Sequence, residues 1–249
     1  VEIIAEIANA HLGSPKRALK IAEEACIAGA DAIKFQIYFA DELLTHNHKR
    51  YEHFLKQSFN EMQWNSLLKK VKKFNCKVYC DIFGDKAFKI AKKNSVDGVK
   101  IHSSDLGNFF LLEKLRKYKK KIFLSCGGST IQEISDAIKF LKNQNLVLLH
   151  GFQSYPTELK DNNLSRIIFF KKIFKNFELK YGFQDHTDGG SEYSYLVPLI
   201  SVGMGIDFIE KHITINRERK KTDYYSSLNP IQFKKFTNLI RECSKSIGE

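Results

Sequence analysis

Short apolar runs alternate with longer amphipathic runs along the whole chain. The short runs read as strands over residues 3–9, 32–38, 77–83, 98–103, 121–126, 146–152, 178–187 and 208–214. The amphipathic runs read as helices. The first starts at Ser14, a capping residue, with Pro15 in the first helical position, and stops at Gly29. Others are expected over 61–74, 85–93, 108–118, 130–142, 165–174, 192–202 and 230–246, with a long connection at 39–60. A regular strand–helix alternation implies a parallel sheet. Eight units in 249 residues imply closure of that sheet, so the expected fold is α/β, a (β/α)8 TIM barrel forming one catalytic domain over residues 1–249. The rival is an open doubly wound sheet, but no G-x-G-x-x-G motif follows the first strand.

Composition changes this picture little. Hydrophobic residues make up 43% of the chain, enough for a large core and against disorder. The net charge of +12 raises nucleic-acid binding as a reading. The lysines, however, recur on helix-like stretches such as Lys69–Lys73 and Lys117–Lys121, and no DNA or RNA motif accompanies them, so solvated helix faces are expected. The five cysteines include no C-x-x-C pair, which indicates neither a zinc knuckle nor a disulfide framework. Cys26, Cys80 and Cys126 lie in apolar patterns and are expected to pack as small hydrophobes. No signal-peptide core and no membrane-length apolar run occurs, so a cytoplasmic location is expected.

The candidate chemistry lies at the ends of the strands, where barrel enzymes build their sites. The polar residues expected there include Glu6 and Asn9, then Lys34 and Gln36, then Asp81. Lys100, His102, Ser103 and Asp105 follow, then Ser125 with Gly127–Gly128, then His150, Gln153 and Tyr155. The last two strands bring Gln184, Asp185 and His186, and Glu210, Lys211 and His212, with Asp223 in the loop beyond. His186 and His212 end neighbouring strands, and two such imidazoles can share a divalent metal. Lys34 and Lys100 are costly to bury alone, and an anionic ligand between them removes that cost. Ser103, Ser125 and the amides of Gly127–Gly128 suit a phosphate or carboxylate. Lys34 as a Schiff-base amine is a further possibility. His102 and His150 are open between structural and supporting roles, and His46, His48 and His53 are expected to be exposed.

At these residues the chain resembles the sialic acid synthases, which condense phosphoenolpyruvate with a sugar. The matching segments are Ala5–Glu6–Ile7, Ile33–Lys34–Phe35–Gln36 and Lys100–Ile101–His102–Ser103–Ser104–Asp105. They continue through Ser125–Cys126–Gly127, Tyr155–Pro156, Asp185–His186–Thr187, Glu210–Lys211–His212 and Thr222–Asp223. They occur in order over nearly the whole chain. The resemblance implies that His186 and His212 hold a divalent cation, typically manganese, with magnesium or cobalt as alternatives. It implies that Lys34, Lys100, Ser103 and Ser125 grip phosphoenolpyruvate. Glu6, Gln36, Asp105, Tyr155 and Asp223 would face the sugar, with Glu6 or Asp105 placed for proton transfer. The implied partners are these two small molecules and a second copy in a homodimer, with no nucleic acid and no membrane.

The chain departs from the family pattern at four places. Gln184 stands where a serine is usual, Cys80–Asp81 where a serine–threonine pair is usual, Gln153 for an asparagine and Asp105 for a glutamate. Asp81 is the most awkward, since a carboxylate beside a phosphate site repels unless it is protonated or bound to a cation. The family's small C-terminal domain, which resembles antifreeze proteins and supplies an arginine to the partner subunit, is expected to be absent here. Two other readings compete: a metal-dependent aldolase or isomerase, and a non-catalytic sugar-binding barrel in which Asp81 and Gln184 mark lost activity.

Overall fold

The structure, a computed structural model, describes residues 1–142 and 145–248. In chain order the elements are β1 (Glu2–Glu6), α1 (Pro15–Ile27), β2 (Ala32–Ile37), α2 (Ala40–Leu43), α3 (Tyr51–Gln57), α4 (Glu61–Val71), β3 (Lys77–Ile82) and α5 (Gly84–Lys93). Next come β4 (Gly98–Ile101), α6 (Phe109–Leu115), β5 (Lys121–Ser125), α7 (Ile131–Leu141), β6 (Leu146–His150), α8 (Ser165–Ile173), β7 (Leu179–Asp185), α9 (Tyr193–Gly203), β8 (Phe208–His212) and α10 (Pro230–Ser244). The eight strands pair in sequence order, all parallel, and β8 closes on β1 with Glu6 opposite His212. This is the (β/α)8 barrel that the alternation predicts.

Capping residues set the helix starts. Ser14 accepts a hydrogen bond from the Arg17 amide at 3.2 Å, with Pro15 opening α1. Asn60, Thr130 and Asn229 each form a reciprocal capping box, with Gln63, Glu133 and Gln232. The main core lies between the barrel wall and the helices. A separate apolar cluster of Ile4, Ala32, Tyr79, Phe123, Val147, Leu149 and Phe208 plugs the barrel itself. Side chains alternate across each strand, so the residues that follow this plug toward the C-terminal ends, Glu6, Lys34, Asp81, Lys100, Gln184 and Glu210, also project inward.

Two expectations need correction. The connection at 39–60 is not irregular but carries α2 and α3, whose lengths of four and seven residues are too short to show an amphipathic period. Several strands stop earlier than their apolar runs. β1 ends at Glu6, whose carboxylate accepts from the Ala8 amide at 2.6 Å and turns the chain, leaving Asn9 in a loop. β4 ends at Ile101, and His102 caps a 3-10 turn at Ser103–Asp105. Polar side chains that bond their own backbone compete with the sheet ladder.

Candidate functional site

The C-terminal mouth of the barrel opens into a cavity of about 620 Å³. Gln36, Gln153, Tyr155, His212 and Asp223 line it, together with Asn9, Tyr38, Phe83 and His102. Its outer wall is the β2–α4 connection, which contributes Leu43, Leu44, His48, Arg50 and Phe54. A pocket at the opposite end of the barrel, around Glu2, Lys77 and Asp97, lies away from all the strand-end chemistry.

His186 and His212 come together as expected, with ring centroids 5.4 Å apart. Tyr155 packs against both, at 4.3 and 5.8 Å. The Nδ1–H of His186 donates to the Phe152 carbonyl at 2.7 Å, which leaves Nε2 as an acceptor. Nδ1 of His212 is buried and, among the described residues, has no hydrogen-bond partner. Burial pushes the His186 imidazole down to about 4, and burial with the neighbouring His186 holds His212 well below its ordinary value. Two neutral imidazoles, one with an orphaned nitrogen, fit a divalent cation whose other positions go to water or substrate. Among the described residues no group of three or more His, Cys, Asp or Glu side chains is arranged around a common metal position.

Below the histidines lies a buried ionic cluster. Lys34 pairs with Glu6, with Glu210 at 3.0 Å and with Asp81 at 3.4 Å. Lys100 pairs with Glu210 at 2.9 Å and with Asp81 at 3.7 Å. The lysines are therefore not bare: carboxylates already offset the cost of burying them, a role that the sequence alone assigns to an anionic ligand. Asp81 lies against two cations, which offsets part of its repulsion toward a phosphate, and among the described residues its Oδ1 has no hydrogen-bond partner. The two glutamates respond differently to this surrounding. Burial raises Glu6 to about 7 despite the opposing pull of Lys34. Burial also acts on Glu210, but Lys100 and Lys34 outweigh it and hold that carboxylate well below its usual range. Burial disfavours the Lys34 ammonium, and the carboxylates around it more than compensate, so it stays firmly charged.

Beside this cluster runs a neutral chain of hydrogen bonds. The Tyr155 hydroxyl donates to Gln153 at 2.9 Å, and Gln153 and Gln184 both donate to Ser125 Oγ, at 3.4 and 2.9 Å. Gln184 is fully covered and fills the space over Gly151, where an added Cβ would lie 2.2 Å from its Cγ. The Gln184 carbonyl oxygen would lie only 2.5 Å from the same Cβ, so both the backbone and the side chain of residue 184 require glycine at 151.

Other expected residues lie elsewhere. Ser103 and Asp105 do not line the cavity, whereas Ser104 between them does; Asp105 accepts from Asn108 at 3.2 Å. Glu6, Lys34, Asp81, Lys100, Ser125, Gln184 and His186 are buried and lie behind the cavity wall rather than on it. Asp185 and Lys211 point outward from the barrel, forming a fully buried pair at 2.5 Å that also ties Lys211 to the Thr187 carbonyl at 3.1 Å. His150 bonds the Asn162 carbonyl at 2.7 Å and stacks on Phe183, a packing role. His46, His48 and His53 are exposed. Cys80 and Cys126 are buried and Cys26 half-buried. Sequence reasoning gave no role to Glu210, the acid that bonds both lysines. Its spacing of two from His212 on one strand, which puts both on one face, is the signal that marks it.

A family model described as the NeuB family matches residues 21–249. An uncharacterized protein of Methanocaldococcus jannaschii is 36% identical, over 99% of this chain and 72% of its own length. The N,N'-diacetyllegionaminic acid synthase of Campylobacter jejuni is 30% identical, over 99% of this chain and 77% of its own. The crystal structure of N-acetylneuraminic acid synthetase from Leptospira borgpetersenii superimposes with a TM-score of 0.90 at 30% identity, covering 100% of this chain and 85% of that one.

Proposed function

The chain belongs to the NeuB family of sialic-acid-type synthases, and from that premise we propose that its barrel mouth condenses phosphoenolpyruvate with an open-chain aldose or N-acyl amino sugar. The products are a 2-keto-3-deoxy sugar acid and inorganic phosphate. The observation that carries this reading is the pairing, at the mouth end of the barrel, of two neutral imidazoles, one of them on the cavity wall, with a lysine pair buried beneath that wall.

In this reading Lys34, Lys100 and Ser125 hold the phosphate and carboxylate of the donor, with Ser103 on the adjoining turn. Gln36, Tyr155 and Asp223 hold the hydroxyls of the sugar. His186 and His212 hold a divalent cation, manganese or a close substitute, which supplies polarisation of the sugar aldehyde. C3 of the enol phosphate bonds to the aldehyde carbon, water adds at C2, and phosphate leaves by carbon–oxygen cleavage. Glu6, raised to about 7 and opposite His212 across β1 and β8, carries the proton that the new hydroxyl needs. Asp105 is the alternative proton carrier implied by the resemblance, but its carboxylate accepts from Asn108 on the turn after β4, whereas Glu6 stands opposite His212. Gln153, Gln184 and Asp81 shape the donor side. Every residue named here lies on the barrel, and a homodimer fits the reading without being required by it. Among the described residues no helix is long and apolar enough to cross a membrane.

Lys34 argues against the Schiff-base aldolase reading. An amine held charged by three carboxylates is a poor nucleophile. The test is phosphate release from phosphoenolpyruvate with manganese across aldoses and N-acetylated sugars, with and without chelator. Sugar-dependent, chelator-sensitive release supports the proposal. Release without sugar, or none with any sugar, overturns it.

A further inference from the structure

We propose that Arg50 makes this site selective for an acceptor sugar that carries an anionic group, a phosphate monoester in the first instance, at the end far from its aldehyde. This deepens the synthase reading and rests on it.

Among the described residues, Arg50 is the only lysine or arginine that lines the cavity. Its guanidinium lies over the Phe54 ring at 4.9 Å, and among the described residues no carboxylate stands within ion-pair distance of it. The contrast with the lysines below is direct. Lys34 and Lys100 are both engaged by carboxylates, so the cavity's uncommitted cation is at its rim. Phe54 is itself fixed edge-on against Tyr38 at 5.4 Å, so the ring under the guanidinium is braced by the cavity wall. The nearest acidic group of the cavity, Asp223, feels the charge of Arg50 but accepts its hydrogen bond from the Asn9 amide at 3.0 Å.

The placement of Arg50 gives the selectivity its direction. His212, Gln36 and Tyr155 lie at or just beyond the strand ends, whereas Arg50 and His48 lie on the connection that forms the outer wall. A sugar with its aldehyde at the histidines turns its last carbon toward that wall. A stacked guanidinium presents a fixed fork of donors that matches two oxygens of a phosphate or carboxylate. His46, His48 and Lys49 add basic residues to the same exposed segment, while Asp41 lies 3.9 Å from His46 and Glu52 faces solvent. In TIM barrels such loops, rather than the strands, set which substrate is taken.

The experiment is equilibrium binding by calorimetry of N-acetylmannosamine and its 6-phosphate to the wild-type protein and to Arg50→Gln, in the presence of manganese. The phosphate ester is expected to bind the wild type about tenfold or more tightly than the neutral sugar, as befits a charge-assisted bidentate contact. In Arg50→Gln that ratio is expected to fall to within about twofold, and in the wild type to shrink with added salt. Equal affinity for the two sugars in the wild type, or a ratio unchanged in Arg50→Gln, overturns the proposal. Because the readout is binding, it is separate from turnover. Absence of phosphate release with every acceptor refutes the synthase reading, whereas the affinity ratio reports on Arg50 alone.

Discussion

Two buried ionic clusters sit on the two faces of the same barrel wall, and they are built differently. On the outer face Lys211 meets Asp185 one to one, the ammonium also bonds Thr187, and no polar atom of the pair is left over. On the inner face two lysines meet three carboxylates, Glu6, Asp81 and Glu210, and among the described residues Oδ1 of Asp81 has no hydrogen-bond partner. The outer pair is closed chemistry under a roof of helices. The inner cluster is uneven, and it lies beneath an open cavity. Balance marks the structural pair, which ties the β7 and β8 motifs together and so aims His186 and His212. In the proposed reading, imbalance marks the cluster that serves the ligand and the proton, since buried like charges cannot all ionise together.

The largest expected effect tests the outer pair. Lys211→Met leaves Asp185 charged and uncompensated, and should cost about 3–5 kcal/mol of stability in a denaturant titration. A loss under 1 kcal/mol would mean the pair is not the clamp described. His212→Ala should leave the melting temperature within a few degrees of wild type but weaken manganese binding by about 100-fold or more, with turnover lost in step. Unchanged metal affinity in that variant would remove the histidine pair from the proposed mechanism.

Asp81→Asn turns the inner cluster into two lysines against two glutamates, the balance found outside. Removing a negative charge beside both lysines should lower the KM for phosphoenolpyruvate by about tenfold, a modest fraction of the ~4 kcal/mol that a unit charge at 4 Å exerts at an effective dielectric of 20. A raised KM would show that Asp81 holds the lysines in place rather than competing for them. The smallest effect is in the pH dependence of stability. Glu6, raised from 4.5 to about 7, binds more protons in the native state than in the unfolded chain, so its contribution is present at low pH and is lost as pH rises through that window. His186, lowered from 6.5 to about 4, does the reverse, and its contribution is lost as pH falls through its window. The two oppose each other where the windows overlap. Glu6→Gln removes the first, so its stability should climb with pH between 4.5 and 6.5 more steeply than that of the wild type. Parallel curves for the two proteins would place the Glu6 proton elsewhere.

Much of this was readable before any coordinates. The alternation of apolar runs marked eight strands because a strand buried on both sides has no polar position to spare, and the two histidines were marked by their place at the ends of two such runs. The limits of that reading are equally physical. Asp185 and Lys211 looked like site residues because they neighbour the histidines in sequence. A one-residue step crosses the sheet and put them on the outer face. Glu210 went without a role because its importance comes from Lys34 and Lys100, contributed by two other strands of the barrel. Arg50 was hidden in the connection at 39–60, where no periodicity marks which residues face the cavity.

The local pattern of the chain determined the strands, the helix caps and the kinds of chemistry available at the barrel mouth, because each of those depends on residues within a few positions of one another. Only the closed barrel decided which lysine meets which carboxylate, which face each motif residue takes and which cation is left free at the rim. Those outcomes depend on register and closure between strands that are distant in sequence.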